Sequence, residues 1–204
     1  MNILKFFLTI ILAAFLISSC NSSKEKIILK YNLVTPQNNI YVITQKDVSE
    51  NEIKNNIYEK VSFHSNKPIR IERCDKNGKL TDDLFVSAIT AFEYSKDGNV
   101  KFVKYFDKNL NPSPDKKFGF ASIEYVYDEL NRVRMEIYRD KNFKLLQVPI
   151  DNSGNFAKVD FLSPILVYEY FDFQIKIKAL DQNFNLLKEV VGEKPCIPFV
   201  DCGE

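Results

Sequence analysis

The chain has no tryptophan, a single histidine, His64, and only six glycines in 204 residues. With one imidazole, any Ser-His-Asp or Cys-His arrangement would have to use His64, and a site needing two histidines is excluded. Scarce glycine leaves no Gly-rich, phosphate-cradling loop ahead of a helix, so nucleotide binding of that kind has no sequence support. Charge of one sign is also missing, with 28 Lys and Arg against 27 Asp and Glu and no long block of either. A surface that tracks a phosphate backbone needs a basic excess, so no nucleic-acid partner is expected.

The first charged group is Lys5, followed by the apolar stretch Phe6 to Ile17, too short to span a bilayer comfortably but suited to a signal-peptide core. Small residues Ser18 and Ser19 then lead to a thiol. The segment Ile17-Ser18-Ser19-Cys20 resembles the bacterial lipobox. The resemblance implies a signal peptide over 1–19, diacylglycerol on Cys20 and a lipidated tether over 20–26. The first partner is then a membrane, held almost permanently because each buried methylene contributes about 0.8 kcal/mol. Asn21 in place of an aspartate implies, by the same resemblance, sorting to the outer membrane of the cell envelope.

Residues 27–204 are of one-domain size, and the abundance of Phe and Tyr, 17 and 10 in the whole chain, makes them globular and strand-prone. Export permits disulfides. Cys196 and Cys202 enclose a short loop, Ile197 to Asp201, and are expected to be bridged, for about 2 kcal/mol in the chain-entropy picture. Cys74 is then a lone thiol in a strand-like run, expected reduced and buried.

Ile27 to Leu33 and Ile40 to Thr44 read as a first hairpin around Thr35-Pro36-Gln37-Asn38-Asn39. Ser49 with Glu52 three residues on forms a capping-box pattern, which predicts one short helix from about Glu50 to Asn56. Beyond it the chain repeats. Asp75-Lys76-Asn77-Gly78, Asp107-Lys108-Asn109-Leu110, Asp140-Lys141-Asn142-Phe143 and Asp181-Gln182-Asn183-Phe184 are four versions of one turn, the first three close to 33 residues apart. One register lays Ala88 on Ala121, Phe92 on Tyr125, Tyr94 on Tyr127, Val100 on Val133, Phe102 on Met135 and Asp107 on Asp140. Within a copy, Ala121, Ile123, Tyr125 and Tyr127 alternate with Ser122, Glu124 and Val126, and the chain returns through Val133, Met135 and Ile137. Leu166 to Phe171 and Ile175 to Leu180 make a degenerate last copy. Isolated hairpins are marginal in water, so the copies are expected to pair into one sheet.

This stretch, with segments such as Lys117-Phe118-Gly119-Phe120-Ala121 and Tyr127-Asp128-Glu129, resembles the Tyr-Asp hairpin repeats of bacterial surface proteins, RHS-like proteins among them. The resemblance implies architecture and no assigned reaction. The fold class expected is all-β: an antiparallel hairpin-repeat meander of about eight to ten strands, a curved sheet or open barrel, with at most one short helix. Hairpin repeats occupy about 57–190 of a single β domain spanning 27–204.

No catalytic, metal or cofactor site is expected. His64, in Phe63-His64-Ser65-Asn66-Lys67-Pro68, reads as part of a solvated hairpin tip. Asp140, Asn142 and Asp151 have EF-hand spacing, but Lys144 stands where an oxygen ligand is needed, as does Lys79 in the first copy. The pairs Asp82 with Asp83 and Asp128 with Glu129 read as solvated charge. The function expected is structural or binding, without catalysis: a lipid-anchored envelope protein whose repeats meet a protein or glycan partner at a surface the sequence does not locate. The alternative is a periplasmic carrier or assembly factor for hydrophobic cargo, held in a curled sheet.

Overall fold

The computed structural model describes residues 26–37, 40–82, 87–113, 119–147, 163–171 and 174–192. The expected signal peptide, Cys20, Asp83, Asp151 and the Cys196–Cys202 pair lie outside these residues. Among the described residues eleven strands form one antiparallel sheet: β1 (Ile28–Gln37), β2 (Ile40–Val48), β3 (Tyr58–His64), β4 (Lys67–Cys74), β5 (Ile89–Tyr94), β6 (Val100–Phe106), β7 (Ser122–Tyr127), β8 (Val133–Arg139), β9 (Ile165–Phe171), β10 (Gln174–Leu180) and β11 (Leu186–Gly192). The order is β11-β10-β9-β8-β7-β6-β5-β4-β3-β1-β2, so the sheet is an open meander. Each described strand touches only its neighbours in the sheet. The eleventh strand exceeds the expected count because the chain after the Asp181 turn continues along β10. After the equivalent Asp75, Asp107 and Asp140 turns it makes one bridging pair and departs.

The first hairpin is turned around relative to the rest, with β1 lying between β2 and β3. The segment that must therefore cross β1 is where a short helix was expected, and it forms successive turns instead. The capping box itself is made: Glu52 Oε2 accepts from the Ser49 backbone N–H at 2.8 Å and from its hydroxyl at 2.7 Å. Propagation stops at Asn55, which takes a left-handed φ of 64°, while the Asn56 side-chain amide donates to the Glu52 carbonyl at 2.9 Å.

The repeat register holds in space. Ala88 and Ala121 accept through their carbonyls from the N–H of Arg73 and Tyr105 at 2.8 and 2.9 Å, and Pro164 does so from Tyr138 at 2.8 Å. Tyr94, Tyr127 and Tyr170 each reach back to the preceding hairpin, donating to the carbonyls of Pro68, Val100 and Val133 at 2.7, 2.8 and 2.6 Å. The three hydroxyls thus tie neighbouring hairpins together.

One expectation about the return strands is corrected. The pairing shifts between Glu93 and Tyr94 and again between Val126 and Tyr127, leaving Lys101 and Arg134 as the extra residues of two bulges. Each bulge reverses the alternation. Met135 and Ile137 pair with Val126 and Glu124 on the outer face, and Val103, Glu136 and Tyr138 turn inward with Phe92, Tyr125 and Ile123. The inner face holds the core: Val61, Ile71, Phe92, Val100, Val103, Ile123, Tyr125, Val133, Tyr138, Leu146 and Tyr168 form one cluster. On the outer face each hairpin carries an ion pair: Lys60 with Glu72, Lys104 with Glu93, Arg139 with Glu124 and Lys178 with Glu169.

Candidate functional site

Five of the turns carry an aspartate that could serve chemistry, and they use it structurally. In five copies one carboxylate oxygen, on Asp75, Asp107, Asp128, Asp140 or Asp181, accepts from the N–H groups two and four residues on, at 2.8 to 3.0 Å. The backbone donors hold Asp75 and Asp128 below the usual carboxylate range, and the Asn185 side-chain amide, together with the backbone donors, does so for Asp181. The Lys79 and Lys144 backbones are donors to the acid, in place of the oxygen ligands calcium would require. Among the described residues no group of three His, Cys, Asp or Glu is placed to hold a metal ion.

The fourth residue of each turn adopts positive φ: Gly78, Gly98, Leu110, Asn131, Phe143 and Phe184. A type I turn followed by one left-handed residue fits the twist of the flanking strands. Gly98 has a second reason for its identity, because the Lys67 ammonium donates to its carbonyl at 2.7 Å and would lie 2.3 Å from an added Cβ. Leu110, Phe143 and Phe184 have no such excuse. Each pays the left-handed penalty with a large apolar side chain, and Leu110 and Phe184 are 60% and 63% exposed.

Direction along the strands sorts these turns. β4, β6, β8 and β10 all run the same way, so the Asp75, Asp107, Asp140 and Asp181 turns lie along one end of the sheet, the far end. Successive turns there are two strands apart, about 10 Å. The opposite, entry end holds the start of β1, since Ile28 pairs with Phe63 next to the His64 turn, together with the Ser95–Asn99 and Asp128–Arg132 turns. The far end therefore presents a row with Lys76, Lys108 and Lys141 at its tips and Leu110, Phe143 and Phe184 beside them. The Phe143 ring lies 5.5 Å from the Lys104 ammonium.

Two buried polar groups interrupt the inner face. Arg73 donates to Glu59 at 2.6 Å and to the Ser87 carbonyl at 2.7 Å, and its guanidinium stacks 4.8 Å from the Tyr41 ring. Glu136 occupies the position held by Ile71, Val103 and Ile177 in the other hairpins, is 6% exposed, and accepts from the Tyr138 hydroxyl at 2.6 Å and from Tyr168. Burial pushes its carboxyl above the ordinary glutamate range, and burial beside that carboxyl pushes Tyr138 and Tyr168 upward as well. Sequence reasoning passed over Glu136 because strict alternation from Val133 assigns it to the polar face; the bulge at Arg134 was the missing signal.

The remaining sequence candidates stay apart. His64 is exposed at the β3–β4 turn, where Ser65 and Asn66 both take positive φ. Asp82 pairs with Lys108 at 3.4 Å, and Glu129 is exposed at a turn tip. Cys74 is a buried free thiol whose pKa burial raises, the environment of an unreactive cysteine. No family model, curated protein or solved structure matches the chain.

Proposed function

We propose that this is a lipid-anchored envelope protein with a structural or binding role and no catalytic activity, whose partner, an envelope protein or glycan, meets the far-end row of turns. The observation that carries the reading is the left-handed backbone at exposed Leu110 and Phe184. Glycine occupies the same position in the Asp75 turn and would relieve strain, so apolar side chains retained there against a conformational cost point to recognition. The anchor part rests on the Ile17-Ser18-Ser19-Cys20 segment.

Two observations favour binding over cargo carriage. The described sheet is open, with β2 and β11 at opposite edges. Its inner face is packed on itself, Val103 being 0% exposed amid the aromatic cluster. The test places a photo-crosslinking residue at Leu110 or Phe184 in cells, with the same probe at the outer-face position Lys176 as reference. Adducts with one envelope component at the far-end positions alone are expected. Equal or absent adducts at all three would remove the binding reading.

A further inference from the structure

We infer that the entry end of the sheet rests directly on the bilayer surface, so that the repeat domain stands on the membrane instead of floating at the end of its tether. The inference rests on the proposed lipidation of Cys20.

Six residues separate Cys20 from Ile27, a span of at most about 25 Å even when fully extended. Chain entry at the start of β1 puts Ile28 level with the tip-side residue Phe63, at the same end as the β3–β4, β5–β6 and β7–β8 turns. That end is unusually apolar for a solvated rim. Ile27, Ile28 and Leu29 are exposed where the chain enters, Leu130 is 70% exposed on the Asp128 turn, and Phe171 is 51% exposed at the end of β9. Among the described residues every exposed large apolar side chain belongs to one end or the other of the strands or to the edge strand β11, and none to the middle of the sheet. The entry-end set is also mixed with exposed Lys26, Lys96, Lys101 and Arg134, against exposed Glu93, Asp97 and Glu129, a small basic excess that suits anionic headgroups.

The rim is built as one surface. The Lys67 ammonium donates to the Gly98 carbonyl at 2.7 Å, and the Asn99 amide donates to Asn131 at 3.0 Å, linking three successive turns. A seven-residue strand rises about 23 Å. An entry end seated on lipid therefore lifts the far-end row of Leu110, Phe143 and Phe184 clear of the headgroups, where a partner can reach it. A domain lying flat would not do so.

Absence of tryptophan makes the test direct, because a single Trp is a clean reporter. Leu130→Trp, Phe171→Trp and Leu110→Trp are each prepared as full-length protein and reconstituted in phosphatidylethanolamine and phosphatidylglycerol vesicles with brominated acyl chains. Intact mass establishes diacylglycerol on Cys20 beforehand. The expected result is blue-shifted emission and bromine quenching at positions 130 and 171, with neither at 110. Lipidated protein whose 130 and 171 reporters stay water-exposed, or whose 110 reporter is quenched equally, overturns the docking and leaves the anchor standing. An unmodified Cys20 overturns the anchor and the docking with it.

Discussion

The hairpins β5–β6 and β7–β8 share one backbone plan and differ at its centre. Both carry a bulge that turns the return strand over, and both use a tyrosine, Tyr94 or Tyr127, to reach the preceding hairpin. Where the first buries Val103 opposite Phe92, the second buries Glu136 opposite Tyr125. A carboxyl in that place would be costly alone. It is tolerated because Tyr138 and Tyr168 bring hydroxyl donors, and because burial favours its neutral form. The comparison teaches that the repeat specifies backbone and register, while the chemistry of its centre is free to change when the neighbours change too.

The largest effect should come from removing the shared core. Phe92→Ala and Tyr125→Ala should each cost about 3 to 5 kcal/mol by denaturant titration, enough to unfold a domain of ordinary stability. If one variant proves near neutral, the two hairpins are not equivalent units after all.

Proton linkage sharpens the difference at the centre. With its folded pKa raised, Glu136 keeps its proton where the unfolded chain, near pKa 4.3, has lost it. Its contribution is fully present below that pH and declines as pH rises toward the folded value. Glu136→Gln should flatten the fall in stability on going from about pH 4 to neutrality, read from melting temperatures across that range. Asp75 and Asp128 act oppositely, their depressed pKa adding stability above the ordinary Asp range that is lost on acidification. A Gln variant that loses stability as steeply as the parent on raising pH would show that Glu136 is ionised in the fold.

Smaller still is the tie between hairpins. Tyr127→Phe leaves the Val100 carbonyl without its 2.8 Å donor and should cost about 1 kcal/mol, and Tyr94→Phe about the same at Pro68. Unequal costs would mark one junction as the weaker. The smallest effect has the opposite sign. Leu110→Gly relieves a left-handed φ of 67° at an exposed site and should stabilise the fold by roughly 0.5 to 1 kcal/mol, measured by the same titration, while weakening capture of the envelope partner. A stabilised variant with undiminished crosslinking from Phe184 would reduce Leu110 to a turn residue.

Residue pattern alone determined the all-β class, the hairpin unit and its register, because Ala88 with Ala121, Tyr94 with Tyr127 and the Asp-headed turns are local signals that depend only on side-chain alternation and turn chemistry. The buried thiol at Cys74 and the solvated His64 were legible on the same grounds. What lay beyond reach were effects of pairing between strands. A bulge is invisible until a partner strand sets the count, so Met135 and Ile137 read as inward and Glu136 as outward. The Ser49–Glu52 box formed without a helix, since the chain between β2 and β3 had to cross β1 in a few residues and turned left-handed at Asn55. Only tertiary structure gathered the Asp107, Asp140 and Asp181 turns along one end and the chain entry at the other, because the common direction of alternate strands, and not their sequence, decides which ends lie together.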